Sequence, residues 1–426
     1  MSFSTISVIG LGYIGLPTAA MFASRKKKVV GVDVSQHAVD TINRGEIHIV
    51  EPDLGMIVHS AVTEGYLRAT LVPEPADAFL IAVPTPFKNS LNKENGSDIP
   101  EPDLSYIQKA AEAVAPVLKK GDLVILESTS PVGATEQMAA WLATARPDLS
   151  FPQDTGENAD VNVAHCPERV LPGHVVRELV ENDRVIGGMT ATCSNRAVEL
   201  YKTFVQGECV ITNARTAEMA KLTENSCRDV QIAFANELSI ICDKLDIDVW
   251  ELISLANRHP RINILQPGPG VGGHCIAVDP WFIVSKTPDE AKLIHTARKV
   301  NDAKPEWVIN KVKIAIADFL QANPDKTAKD VTIACYGLAF KADIDDLRES
   351  PALNITKRIA EMHTGIVIAV EPNIEKLSNE IERFKLSTFE LVSKSADIHL
   401  LLVDHKEFTL QKINDALIID IKGIWK

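Results

Sequence analysis

Short apolar, β-branched runs alternate along this chain with longer mixed stretches, a pattern that predicts an α/β protein. Thr5-Ile6-Ser7-Val8-Ile9-Gly10 reads as a buried parallel strand and residues 16–27 as a helix. Val29-Val30-Gly31-Val32 and residues 79–83, 123–126 and 161–164 read as further strands. The pattern resumes near Asp330, with strands expected at 331–337, 366–370, 398–403 and 417–421. Between the two sets, residues 216–245 contain no glycine or proline and carry Phe234, Leu238, Ile241 and Leu245 at helical spacing. They predict one long helix of about 45 Å at 1.5 Å per residue, able to bridge domains and offer a surface for self-association. The expected fold is two Rossmann-like doubly wound parallel-sheet domains joined by a helical middle, divided as residues 1–213, 214–322 and 323–426. The polar residues 88–101 are expected to form a surface loop.

Glycines sharpen the first domain. Gly10-Leu11-Gly12-Tyr13-Ile14-Gly15 fits G-x-G-x-x-G, with a strand before it, a helix after it and Asp33 closing the next strand. This is the arrangement that binds a dinucleotide pyrophosphate at a helix N-terminus and the ribose on an acid. Asp33 would repel a 2′-phosphate, so NAD is favoured over NADP. Thr85 and Thr129 lie just beyond strand ends, where open α/β sheets bind ligands, and are either cofactor contacts or helix N-caps.

A second glycine cluster carries a thiol. Gly268-Pro269-Gly270-Val271-Gly272-Gly273-His274-Cys275 is too rich in glycine for a packed core and suits backbone passing close to a ligand. Cys275 is therefore a candidate nucleophile, with Asp279 and Pro280 following. Lys221, Asn225 and Arg228 share a face of the long helix, either to stabilise an oxygen that becomes negative or as a solvated face. In Cys166-Pro167-Glu168-Arg169, Glu168 either activates a water or pairs with Arg169 at the surface. The basic run Arg258-His259-Pro260-Arg261 could grip a diphosphate, or be a solvated loop. Phe340, Lys341 and Arg348 follow the first strand of the last domain among Asp343, Asp345 and Asp346, which could simply pair with them. The adjacent pairs His274–Cys275 and His165–Cys166 are not metal sites, since neighbours in sequence cannot easily face one ion.

Bulk properties narrow the function. The net charge of -13 is spread along the chain and disfavours a nucleic-acid partner. No apolar run reaches the length of a membrane span. Seven scattered cysteines without a C-x-x-C pair, and an N-terminus without a basic leader, predict a cytoplasmic protein with reduced thiols.

Together these motifs resemble the UDP-sugar 6-dehydrogenases over essentially the whole length. The form Gly-Pro-Gly-Val-Gly-Gly-His-Cys-Ile-Ala-Val-Asp-Pro looks like the branch acting on 2-acetamido sugars, which includes the enzyme supplying the uronic acid of enterobacterial common antigen. The resemblance implies an NAD-dependent four-electron oxidation at C6, through a thiohemiacetal and a thioester on Cys275. Lys221 and Asn225 would stabilise oxyanions, and Glu168, Asp279 or both would assist water. NAD would be met by Gly10, Gly12, Tyr13, Ile14, Gly15, Asp33, Thr85, Thr129 and Arg348. The UDP-sugar would be met by Arg169, Val170, Lys221, Asn225, Arg228, His259, Arg261, Gly272, Phe340 and Lys341. A homodimer is the expected assembly. A β-hydroxyacid dehydrogenase would share the Rossmann domain and the helical lysine and asparagine, but makes one two-electron oxidation and needs no thiol.

Overall fold

The computed structural model describes residues 3–49, 51–88, 99–170, 173–273, 275–374, 383–411, 413 and 417–425. His274 and residues 89–98 of the expected polar loop lie outside the described residues. The chain divides into two compact units, residues 1–224 with 285–287, and residues 225–284 with 288–426.

The first unit is built on an eight-stranded sheet of β1 (Thr5–Ile9), β2 (Lys28–Val32), β3 (Leu67–Thr70), β4 (Ala78–Ile81), β5 (Leu123–Leu126), β6 (Asn162–His165), β7 (Arg184–Gly188) and β8 (Cys209–Asn213). Their order is β3-β2-β1-β4-β5-β6-β7-β8, and only β6 and β7 pair antiparallel. Successive residues of the strands bury on opposite faces: Leu80 joins one apolar core with Val8 and Ile125, while Phe79 and Ile81 join another with Val124 and Leu126. A sheet buried on both faces explains the unbroken apolar runs. The order reverses at β1, which lies between β2 and β4, so the crevice beyond its carboxyl end is the expected ligand site.

The second unit holds an all-parallel five-stranded sheet of β9 (Thr332–Tyr336), β10 (Ile366–Val370), β11 (Lys385–Leu386), β12 (Ile398–Leu401) and β13 (Leu417–Asp420), in the order β11-β10-β9-β12-β13. Its faces are likewise split, Ile333 and Leu400 on one side and Ala334 and Leu401 on the other.

The expected long helix runs from Ala214 to Lys244, and beside buried Leu222, Ala233 and Ala235 it also buries polar residues and exposes apolar ones. Phe234, Ile241 and Leu245 are exposed, whereas Ser226, Asp229, Asn236 and Ser239 are buried. A second 31-residue helix, Lys292–Ala322, was not signalled by sequence, because Pro305 in its interior reads as a breaker. Asp229, Asn236 and Ser239 of the first helix bond to it. Arg298 donates to Asp229, Asn301 Nδ2 donates to Asp229 Oδ1 at 2.8 Å, and Asn236 Nδ2 donates to Asn301 Oδ1 at 2.9 Å. The Lys304 ammonium donates to Ser239 Oγ.

Candidate functional site

In the first unit the three glycines of the fingerprint have separate reasons. Gly10 has φ of +91°, and a side chain there would meet Ala82 O at 2.8 Å. A Cβ at Gly15 would lie 1.8 Å from Gly10 O, so only glycine lets the helix start so close to the strand. A Cβ at Gly12 would meet nothing within 4 Å; this glycine faces open space, where a phosphate can approach the backbone. The helix Gly15–Ser24 has no side-chain cap and no acid in its first turn, which leaves its amides for an anion. Asp33 braces the turn, with Oδ2 accepting from Leu11 N–H at 2.9 Å and Oδ1 from Ser35 N–H at 2.9 Å. Each carboxylate oxygen keeps a further lone pair for a ribose hydroxyl. These residues fit a dinucleotide.

Thr85 and Thr129 do not cap helices. Thr85 follows β4 and Thr129 follows β5, but among the described residues the next helices begin at Ser105 and Ala134, with Leu104 and Gly133 in the capping positions. The Thr85 hydroxyl is buried and has no partner among the described residues, so the hydroxyl is available to a ligand.

In the second unit the glycine run is held from several sides. Gly268 N–H donates to Asn236 Oδ1 at 2.9 Å, and Gly273 N–H to Arg348 O at 3.3 Å. A Cβ on Gly272 would lie 2.6 Å from Glu349 O and 2.8 Å from the Phe340 Cβ. Phe340 therefore packs on the run itself. Cys275 is exposed, whereas Cys166, Cys193, Cys242 and Cys335 are buried. Burial pushes the Cys335 thiol up to about 12, an inert thiol by comparison. The Cys275 carbonyl accepts from the N–H groups of Val278 and Asp279, at 3.0 and 2.9 Å, so the thiol sits in the turn leading into the helix Asp279–Lys286. Asp279 is buried and accepts from Asn225 Nδ2 at 2.6 Å.

Lys221 and Asn225 are half-buried on the long helix, and Arg228 is exposed. Leu222 beside them is buried, but Cys227 is exposed, so the face is only partly sheltered. Glu168 and Arg169 do not form a surface pair. Arg169 pairs with Glu224 at 2.6 Å, and Glu168 is buried against Arg184 at 2.6 Å, with the Arg169 backbone N–H on its other oxygen at 2.7 Å. Val170 packs against the first unit's core.

Asn257 closes the basic loop by bonding both ways to the backbone of Ile264, at 2.7 and 2.9 Å. His259 and Arg261 within that loop are exposed, and no acid pairs with Arg258 or Arg261 among the described residues. Lys341 is exposed, while Arg348 pairs with Asp346 at 2.6 Å. Asp343, His405 and Glu407 lie close enough together to suggest a cation site. However, His405 Nδ1 accepts from Asp343 N–H at 3.0 Å and its Nε2 faces Glu371 Oε2 at 3.1 Å, which makes the ring a structural latch.

Two groups of residues escape sequence reasoning. Arg184 and Tyr201 surround Glu127 and Glu168 in the first unit, and Asn236 anchors Gly268 in the second. The one signal for either was polar residues at positions that helical or strand spacing would bury.

Residues 4–205 match the NAD binding domain of the UDP-glucose/GDP-mannose dehydrogenase family, residues 215–303 its central domain and residues 334–426 its UDP binding domain. A UDP-N-acetyl-D-mannosamine dehydrogenase of Yersinia pestis is 66 % identical, covering 100 % of both chains. An NDP-N-acetyl-D-galactosaminuronic acid dehydrogenase of Ralstonia nicotianae is 61 % identical, covering 100 % of this chain and 97 % of that protein. Among solved structures, a UDP-D-ManNAc dehydrogenase from Pyrococcus horikoshii is similar with a TM-score of 0.85 and 37 % identity, covering 99 % of this chain and 96 % of that one.

Proposed function

The chain belongs to the UDP-glucose/GDP-mannose dehydrogenase family, and from this we propose that it oxidises UDP-N-acetyl-D-mannosamine at C6 to UDP-N-acetyl-D-mannosaminuronate, a precursor of enterobacterial common antigen. The observation that carries this reading is the exposed Cys275 at the end of the clamped glycine run, in a turn tied through Asp279 to Asn225.

Bound NAD supplies a hydride acceptor, two per sugar. Gly10, Gly12, Tyr13, Ile14, Gly15, Asp33, Thr85 and Thr129 hold it, with Arg348 as a further contact. The Cys275 thiolate adds to the C6 aldehyde; a C–S bond forms and the carbonyl oxygen becomes an alkoxide. Lys221 and the Asn225 amide donate to that oxygen, and Lys221 takes and returns its proton. The thioester left on Cys275 is cleaved by water, whose proton goes to Glu168 or Asp279, and the thiolate leaves. Covalent capture keeps a reactive aldehyde from escaping while cofactors exchange. Arg169, Val170, Arg228, His259, Arg261, Gly272, Phe340 and Lys341 hold the nucleotide sugar, with Arg261, which pairs with no acid among the described residues, suited to a diphosphate.

The same reading assigns residues 1–213 to NAD, 323–426 to UDP and 214–322 to self-association. The exposed Phe234 and Ile241 on the long helix, with Leu245 just after it, support a homodimer. No described helix is long and apolar enough to cross a membrane, which is consistent with a place in the cytoplasm.

The 61 % identity to the galactosaminuronic acid enzyme favours one second reading, a different 2-acetamido sugar. Epimers differ by only a few kcal/mol in a pocket, which shape must supply. An NADH-release screen across UDP-N-acetylmannosamine, UDP-N-acetylgalactosamine, UDP-N-acetylglucosamine and UDP-glucose separates them. Highest kcat/KM on the mannosamine nucleotide is expected, and preference for another sugar overturns the assignment.

A further inference from the structure

A buried polar cluster lies in the first unit beside one of the residues assigned to the hydrolytic step. Arg184, on β7 and only 5 % exposed, approaches two carboxylates at once: Glu168 Oε2 at 2.6 Å and Glu127 Oε1 at 3.4 Å. Its guanidinium also lies 4.2 Å over the Tyr201 ring, and the Tyr201 hydroxyl donates to Glu127 Oε1 at 3.0 Å. Glu127 closes β5, is 1 % exposed, and its Oε2 accepts no hydrogen bond among the described residues. The Thr18 hydroxyl is a further polar neighbour of Glu127, and the Cys166 and Cys209 thiols lie near Arg184.

One guanidinium thus serves two buried carboxylates. Charge given to one is withdrawn from the other, because a buried anion depends on its partner in place of water. Glu168 has the better position, with a short contact to Arg184 and a backbone N–H on its second oxygen. Glu127 has only the longer contact and the tyrosine hydroxyl, and burial pushes its pKa up to about 7. Glu127 is therefore the carboxylate of this cluster whose charge changes near neutrality.

We propose that Glu127 is a positioning residue that sets the basicity of Glu168 through their shared Arg184. With Glu127 neutral, Arg184 belongs wholly to Glu168 and makes it a weak base. Once Glu127 ionises, the shared guanidinium and the added negative charge make Glu168 a stronger one. This rests on the reading above that Glu168 accepts the proton of the water attacking the thioester. No net chemistry is added: one proton leaves Glu127 for solvent as pH rises, and the hydrolytic proton still goes to Glu168.

The test is single-turnover hydrolysis of the Cys275 thioester in the full-length enzyme with NAD and the UDP-sugar, followed by quenching and mass spectrometry from about pH 5 to pH 9. The wild-type rate is expected to rise a second time near pH 7. Glu127→Gln should abolish that rise and lower the plateau severalfold. Tyr201→Phe removes a hydrogen bond that favours ionised Glu127, so the second rise should move to higher pH; this variant also serves if Glu127→Gln does not fold. Superimposable profiles for wild type and either variant, with Glu168→Gln stalled at the thioester, overturn the coupling and leave the role of Glu168 standing. Wild-type hydrolysis by Glu168→Gln overturns both.

Discussion

The Asn225 amide donates one hydrogen to the Asp279 carboxylate at 2.6 Å, which fixes how that amide faces the turn carrying Cys275. An amide nitrogen has two hydrogens. Asp279 holds one, and in the proposed mechanism the other serves the oxygen that becomes negative. Asn225→Asp replaces this donor with an anion beside a buried anion. It is expected to lower kcat by about 10²- to 10³-fold, the usual cost of an oxyanion donor, with a smaller effect on the KM for the UDP-sugar. Steady-state kinetics checks this, and a kcat within a few-fold of wild type would contradict it.

The glycine fingerprint predicts opposite failures for two alanine substitutions. Gly15→Ala places a methyl 1.8 Å from Gly10 O and is expected to destabilise the whole unit. Gly12→Ala meets no protein atom within 4 Å, so Tm should hold while NAD binding weakens by about tenfold or more. Paired thermal melts and NAD titrations measure both, and equal losses of stability would refute the distinction.

Asn236 spans the second unit's buried polar ladder, bonding Asn301 with its amide nitrogen and Gly268 N–H with its oxygen. Asn236→Ala orphans the buried amide of Gly268, at about 1–3 kcal/mol for an unpaired buried donor. A drop of that size in urea-unfolding free energy, with slower turnover, is expected; an unchanged unfolding midpoint would show that the anchor does not matter.

Lys304 gives the fold a pH dependence. It is 1 % exposed, borders a cavity of about 490 Å³ and lies 3.7 Å from the Trp307 ring centroid, and burial pulls its pKa down to about 7. An unfolded lysine titrates near 10.4, so between these values the unfolded chain binds the extra proton. Stability from this group must therefore rise as pH climbs from about 7 to about 10 and be lowest below 7. Lys304→Met is expected to flatten that slope in a series of unfolding midpoints, and a slope equal to wild type would rule the group out.

Much of this was legible because strands buried on both faces are written as apolar runs, and because Gly10, Gly15, Gly270 and Gly272 stand where a side chain would collide. Leu123–Leu126 and Ile366–Val370 fall where the sequence puts them. Edge elements did not show: Leu67–Thr70 alternates in burial and Cys209–Asn213 is largely exposed, so neither forms an apolar run. The helix 292–322 was hidden by Pro305. Its packing is also polar, with Arg298, Asn301 and Lys304 buried, so its core face looks like a solvated one. Arg184 illustrates the same limit at the site, since a charged residue inside a strand gives no hint of the two carboxylates that it joins.

In the proposed mechanism the Cys275 thiol carries the sugar carbon through two oxidations. Counting NADH released per molecule of limiting UDP-sugar tests it most directly. Two NADH with a carboxylate product are expected, and one NADH with an aldehyde product would contradict the thioester route.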